Sequence, residues 1–222
     1  GTSTIETATA TGIIDWTVTG DNGAPHVFLP AGNTASYQAA TGAIAVTLSS
    51  TATVTGDASV GVDTLVNIDR VIGTGFADSF TAEASYAGGQ FTSAGVAFNE
   101  FEGGAGDDVI TGNGATRVSY GDAQAGVTVD LAAGTGQGTA VGDVANVGFD
   151  SFLGGVTRVR GSSFDDVLQG SDAPVFEDFR GGSGNDLIDG RGGTSDRVDY
   201  RNSPGGVFVD LANGTASDGF GF

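Results

Sequence analysis

Gly103-Gly-Ala-Gly-Asp-Asp-Val-Ile-Thr111 recurs as Gly181-Gly-Ser-Gly-Asn-Asp-Leu-Ile-Asp189. Both stretches follow the nine-residue pattern G-G-x-G-x-D-x-U-x, in which U is a bulky apolar residue. Each unit makes one turn and one short strand. The glycines admit backbone angles closed to other residues. The apolar residue two places beyond the aspartate points inward. Stacked units of this kind predict an all-β chain, a right-handed parallel β-roll or β-solenoid.

Outward from these turns, a longer repeat of about 80 residues emerges. Three tyrosines mark it: Asn33-Thr-Ala-Ser-Tyr37, Thr116-Arg-Val-Ser-Tyr120 and Asp196-Arg-Val-Asp-Tyr200, spaced 83 and 80 apart. An alternating strand follows each: Ala43–Leu48, Gly126–Leu131 and Gly206–Leu211. Apolar residues at every second place predict one buried face. After a polar, glycine-rich excursion, the block Asp63–Phe80 matches Asp150–Leu168, and Val96–Phe101 matches Pro174–Phe179. The first repeat carries about ten extra residues around Ala82 to Gly95, a predicted surface insertion. The reading divides the chain into a cap or divergent repeat end (1–36), repeat 1 (37–119), repeat 2 (120–199) and a truncated repeat 3 (200–222). One continuous solenoid is expected. A repeat cut in mid-course, with no Met at position 1, suggests a processed product or a piece of a longer protein.

Composition narrows the partners. The 222 residues carry a formal charge of −19, with 22 Asp against five Glu. Asp suits turns and metal coordination, whereas Glu suits solvated helix faces. All eight basic residues are Arg. No basic footprint for nucleic acid is present, and an anionic membrane surface would repel the chain. With no Cys, a disulfide framework is excluded and a secreted form needs another staple. No apolar run reaches membrane-spanning length.

Calcium is the expected staple, because it takes hard oxygen ligands and Asp supplies them. Two nine-residue units make a full turn of about 18 residues, so ligand aspartates should recur at about that spacing. Asp166 and Asp186 are 20 apart; Asp78 and Asp108 are 30 apart, the same pairing plus the insertion. The candidate metal residues are Asp78, Asp108, Asp166 and Asp186, with Asp196 from the longer unit that follows. Gly103, Gly104, Gly106, Gly181, Gly182 and Gly184 belong to the same candidate site, since glycine lets the turn's carbonyls face a cation. Asp130 and Asp210 lie on alternating strands and read as outward polar positions. Glycine–aspartate turns also occur without metal. Two matches in register on a strongly acidic chain favour calcium.

These residues resemble the repeats-in-toxin (RTX) β-roll proteins of Gram-negative bacteria. They are most similar to the large surface and extracellular members, where tyrosine, a GVTVDL-like strand and a D-x-L-x-N-I-x-x-V-x-G block alternate with glycine–aspartate turns. The matching blocks cover most of residues 37–211. The resemblance implies calcium-dependent folding, type I secretion through an uncleaved C-terminal signal, and an extracellular or cell-surface location. The expected role is structural: a segment of an adhesin, filament, surface layer or matrix protein. Its partners would be calcium, neighbouring repeats or further copies, and a glycan or cell surface. The alternative is an accessory module of a larger secreted toxin or enzyme.

Catalytic constellations are scarce, and no enzyme activity is expected. One His allows no H-E-x-x-H zinc site, and neither a G-x-S-x-G elbow nor a Cys nucleophile is present. A polysaccharide-cleaving β-helix would draw on Arg158 and Arg160 beside Asp165 and Asp166. Trp16, His26 and Phe28 would form either a glycan platform or a terminal plug.

Overall fold

The computed structural model describes residues 5–9, 16–19, 25–29, 34–66, 68–86, 92–93, 96–217 and 219. Among these residues the chain is all-β, with no helix. Among the described residues no helix is long and apolar enough to cross a membrane.

From Arg70 onward, strands alternate between two sheets. Arg70–Ile72, Asn99–Glu102, Thr116–Ser119, Val156–Arg160, Phe176–Arg180 and Ser195–Val198 lie in that order, all parallel, in a nine-stranded sheet. Of the strands between them, Ser79–Ala82, Val109–Thr111, Val167–Gln169 and Leu187–Asp189 belong to an eleven-stranded sheet. A period of two puts alternate side chains on one face. Val71, Phe101, Val118, Val159 and Phe179 from one sheet therefore meet Val46, Phe80, Ile110, Val129 and Leu168 from the other in one buried cluster. The Phe80 and Phe101 rings touch, with centroids 5.1 Å apart.

The stacking is not parallel throughout. The glycine-rich excursion after each alternating strand forms an antiparallel meander. Ala45–Leu48 pairs with Ala52–Thr55, which pairs with Val62–Val66. Val127–Asp130 pairs with Thr135–Gly138, which pairs with Phe149–Phe152. Short turns favour this local pairing, whereas a parallel neighbour needs a longer crossover.

Each meander brings the marker tyrosine to the aspartate that opens the following block. Tyr37 donates to Asp63 at 2.8 Å and Tyr120 to Asp150 at 2.7 Å, all four residues being buried. Gly136 leaves room for this contact, since a Cβ there would lie 1.9 Å from the Tyr120 hydroxyl. Removing one partner strands the other as a buried polar group. Tyr120→Phe should therefore cost about 1–3 kcal/mol in urea unfolding. A loss below about 0.5 kcal/mol would show that the pair does not hold the repeat together.

The N-terminal strands extend both sheets. Ile5–Thr9 runs parallel to Val62–Val66, and Trp16–Thr19 pairs with Pro25–Leu29, which joins Thr34–Ser36. The side chains of Trp16, His26 and Phe28 lie outside the described residues. Most of the first-repeat insertion does too; Thr92–Ser93 and Val96–Ala97 form a short antiparallel pair. In the third repeat, the expected buried face is absent. Among the described residues Phe208–Asp210 pairs only with Thr215–Ser217, in a separate two-stranded sheet. Val209 is 47% exposed, while its repeat equivalent Val129 is fully buried. Among the described residues no strand of the larger sheets pairs with it, and Val209 instead lines a cleft shared with Ile188, Val198 and Tyr200.

Candidate metal centre

Four turns, 73–78, 103–108, 161–166 and 181–186, carry the chain from the nine-stranded to the eleven-stranded sheet. Each ends in one of the predicted aspartates. The strands that follow are parallel neighbours, so the turns stack in pairs: Asp78 with Asp108, and Asp166 with Asp186. The backbone N–H of Asp78 donates to Asp108 Oδ1 at 2.7 Å, and that of Asp166 to Asp186 Oδ1 at 3.1 Å.

The glycines permit this stacking. Gly104, Gly106, Gly182 and Gly184 have φ of 98°, 107°, 126° and 111°. A Cβ on Gly104 would lie 2.1 Å from the Thr74 carbonyl oxygen, and one on Gly182 would lie 2.0 Å from that of Ser162. Gly103 and Gly181 face their own aspartates, 1.8 Å from where a Cβ would sit to Asp108 Oδ2 and Asp186 Oδ2.

The turns fall into two chemical kinds. In the first and third, a hydroxyl residue occupies the second place. Thr74 gives both its N–H and its hydroxyl to Asp78, and Ile44 N–H adds a third bond. Ser162 and Val127 do the same for Asp166. In the second and fourth turns glycine stands there and brings no hydroxyl at that place. Asp108 Oδ2 is left buried without a hydrogen-bond partner. An orphaned carboxylate oxygen is costly inside a protein.

Asp150, not among the predicted ligands, extends the row. It accepts from Asp108 N–H at 3.0 Å. Asp78, Asp108 and Asp150 thus form a ladder of carboxylates, each at most 2% exposed. Burial, then the neighbouring Asp150, pushes Asp108 up to about 9. Burial raises Asp150 to about 7, and raises Asp78 and Asp166 as well. The repeat alignment had set Asp63 against Asp150. That equivalence was the available signal, but its meaning depended on which strands became neighbours.

Asp196 stands apart from the other four predicted residues. It lies in Ser195–Val198 of the nine-stranded sheet, in register with Glu177. It makes with Gly190 the contact that Glu177 makes with Gly170: a Cβ on either glycine would lie 2.7 Å or 2.3 Å from the acid's Oδ2 or Oε2. Glu177 holds Ser171 through its N–H and hydroxyl, as Asp78 holds Thr74. These two longer turns are a second row, and Glu177 was missed because its turn lacks the nine-residue spacing. Asp107 and Asp165 accept from Phe149 and Asn185 N–H, so each binds a neighbouring turn.

Protein-family models and curated proteins yield no match to this chain. Its chemistry rests on its own residues. Among the described residues, no three Asp, Glu, His or Cys side chains gather as a metal cage. A cation here would draw on single carboxylates together with main-chain carbonyls. All of these donors are oxygen, the set that calcium takes. Asp108 Oδ2 and the Thr74 carbonyl beside Gly104 fit that requirement. Asp78 and Asp166 are already held by three protein donors each. Neither Arg158 nor Arg160 forms an ion pair with Asp165 or Asp166 among the described residues. The Arg158 guanidinium instead lies 5.3 Å and 5.8 Å from the ring centres of Phe98 and Phe176.

Proposed function

We propose that the chain is a calcium-binding structural segment of an extracellular protein of the RTX type, its stacked turns forming a β-roll ordered by calcium. The observation that carries this reading is the buried carboxylate ladder with an unpaired oxygen at Asp108. Like charges at this depth are unfavourable unless protons or cations neutralise them. Asp108 and Asp186, in the two turns with glycine at the second place, are the principal carboxylate ligands. Asp78 and Asp166 hold their turns closed. Calcium here is structural: it neutralises charge and couples metal binding to folding. An extracellular setting, where calcium is abundant, suits a cysteine-free acidic chain. Leu187, at the edge of the eleven-stranded sheet, is 62% exposed, which suits a further repeat or a second copy as partner.

Calorimetric titration tests the reading. Asp186→Ala should raise the calcium Kd by at least about tenfold. Asp130→Ala should change it by less than about twofold, because Asp130 instead forms two hydrogen bonds to Arg191, at 2.9 and 2.6 Å. Equal effects of the two substitutions would refute the assignment of the ligand turns.

A further inference from the structure

The turns that follow the nine-stranded sheet form a repeating edge. The Tyr37, Tyr120 and Tyr200 turns recur along it, with two glycine–aspartate turns between each consecutive pair. Each interval forms a cleft. The first is lined by Gln38, Glu102 and Asp122, among others. The second is lined by Arg160, Arg180, Asp199, Ser163, Ser183 and Asn202, among others. Glu102 and Arg180 hold the same place, directly before Gly103 and Gly181. The two clefts are therefore repeat equivalents with inverted charge.

They also differ in closure. In the first, Gln38 spans the cleft and donates to Asp122 at 3.1 Å. Glu102 is satisfied by Arg70, by Ser119 and by the Asp122 N–H. In the second, Gly121 replaces Gln38 and has no side chain to reach across. Its place is taken by the Arg160 guanidinium, 3.0 Å from where a Gly121 Cβ would sit. Arg160 and Arg180 are register partners on adjacent strands, so their charges lie side by side. Arg180 binds Asp199, which Arg201 shares, and its Nε has no partner. Arg180 and Arg201 thus share one carboxylate and Arg160 pairs with none among the described residues, on a chain whose net charge is −19.

We propose that this second cleft binds the carboxylate or sulfate group of an acidic saccharide through Arg160 and Arg180. Guanidinium forks match planar oxyanions with paired hydrogen bonds. The cleft holds about 110 Å³, room for one such group. Ser163, Ser183 and Asn202 supply neutral donors and acceptors for the sugar hydroxyls beside it. The surrounding acidic surface repels long polyanions, so recognition depends on this local fork rather than on the overall field.

The test uses the full chain in calcium at fixed ionic strength, with its β signal verified by circular dichroism. A glucuronate disaccharide, its neutral methyl ester and inorganic sulfate are the probes. The disaccharide should shift the Arg160 and Arg180 Nε–H resonances saturably, and the ester should not. Arg160→Gln should raise the disaccharide Kd by about tenfold or more. Arg160→Lys, which keeps the charge but loses the fork, should fall between it and the native chain. Asp122→Asn, in the first cleft, should leave the Kd unchanged. An unchanged Kd in Arg160→Gln, or equal binding of the ester, would overturn the proposal. Equal affinity for inorganic sulfate would also overturn it, by reducing the cleft to a small-anion site. A chain that lacks a β signal in calcium would instead refute the calcium reading, so the two failures are separable.

Discussion

Calcium at one hundred times its Kd should raise the melting temperature by about 10 °C or more over the chelated protein. One site occupied to that extent stabilises the native state by about 2.7 kcal/mol. Two such sites, at Asp108 and Asp186, supply about 5 kcal/mol, and a chain of this size gains roughly 2–4 °C per kcal/mol. Asp108→Asn separates metal from packing. It keeps the side-chain shape but cannot lose a proton to become the anionic ligand that calcium takes. The variant should match or exceed the native chain in chelator, and should lose about half of the gain on adding calcium. Differential scanning calorimetry with and without chelator reads both. A native chain that melts at the same temperature in each condition would remove the calcium reading altogether.

Without divalent cations, stability should fall as the pH rises from about 5 to 9. Asp150 is raised to about 7 and Asp108 to about 9, in each case chiefly by burial. Their unfolded values lie near 4. A carboxyl with a raised folded pKa holds its proton more tightly in the native state. Its contribution is complete below about pH 4 and is lost as the pH climbs through 7 and 9. The melting temperature in chelator should drop by roughly 5 °C or more across that window. Below it, Asp199 acts in the opposite direction. Its hydrogen bonds to Arg201 and Arg180 hold it well below the usual carboxylate range despite burial, so its contribution is lost in acid. Calcium should flatten the slope between pH 5 and 9, since the metal replaces the protons. A melting temperature in chelator that rises across this range would show that the ladder is not buried as described.

Much of this arrangement was legible in the residues. Alternating apolar positions marked Val46 and Leu48, and Val127 and Val129, as inward, and the structure buries all four. The repeat spacing placed Asp78 against Asp108 and Asp166 against Asp186, and those turns do lie side by side. These features depend on short-range backbone chemistry: glycine at positive φ, and a strand period of two. The position of Asp196 was not legible in the same way. Its turn belongs to the other sheet edge, where Glu177 is its counterpart.

By itself, then, the sequence determined the all-β class, the repeat period and the aspartates that close each turn, because each is written in residues close along the chain. Tertiary structure alone decided which of those aspartates share an environment. Asp108 and Asp150 are 42 residues apart and meet only because a meander folds back between them. The Thr74 and Ser162 hydroxyls satisfy two carboxylates, while Gly104 brings none to Asp108. Burial then converts that small local difference into an unpaired oxygen and a raised pKa. Its size depends on the dielectric and on the neighbouring strands, which no single stretch of sequence specifies.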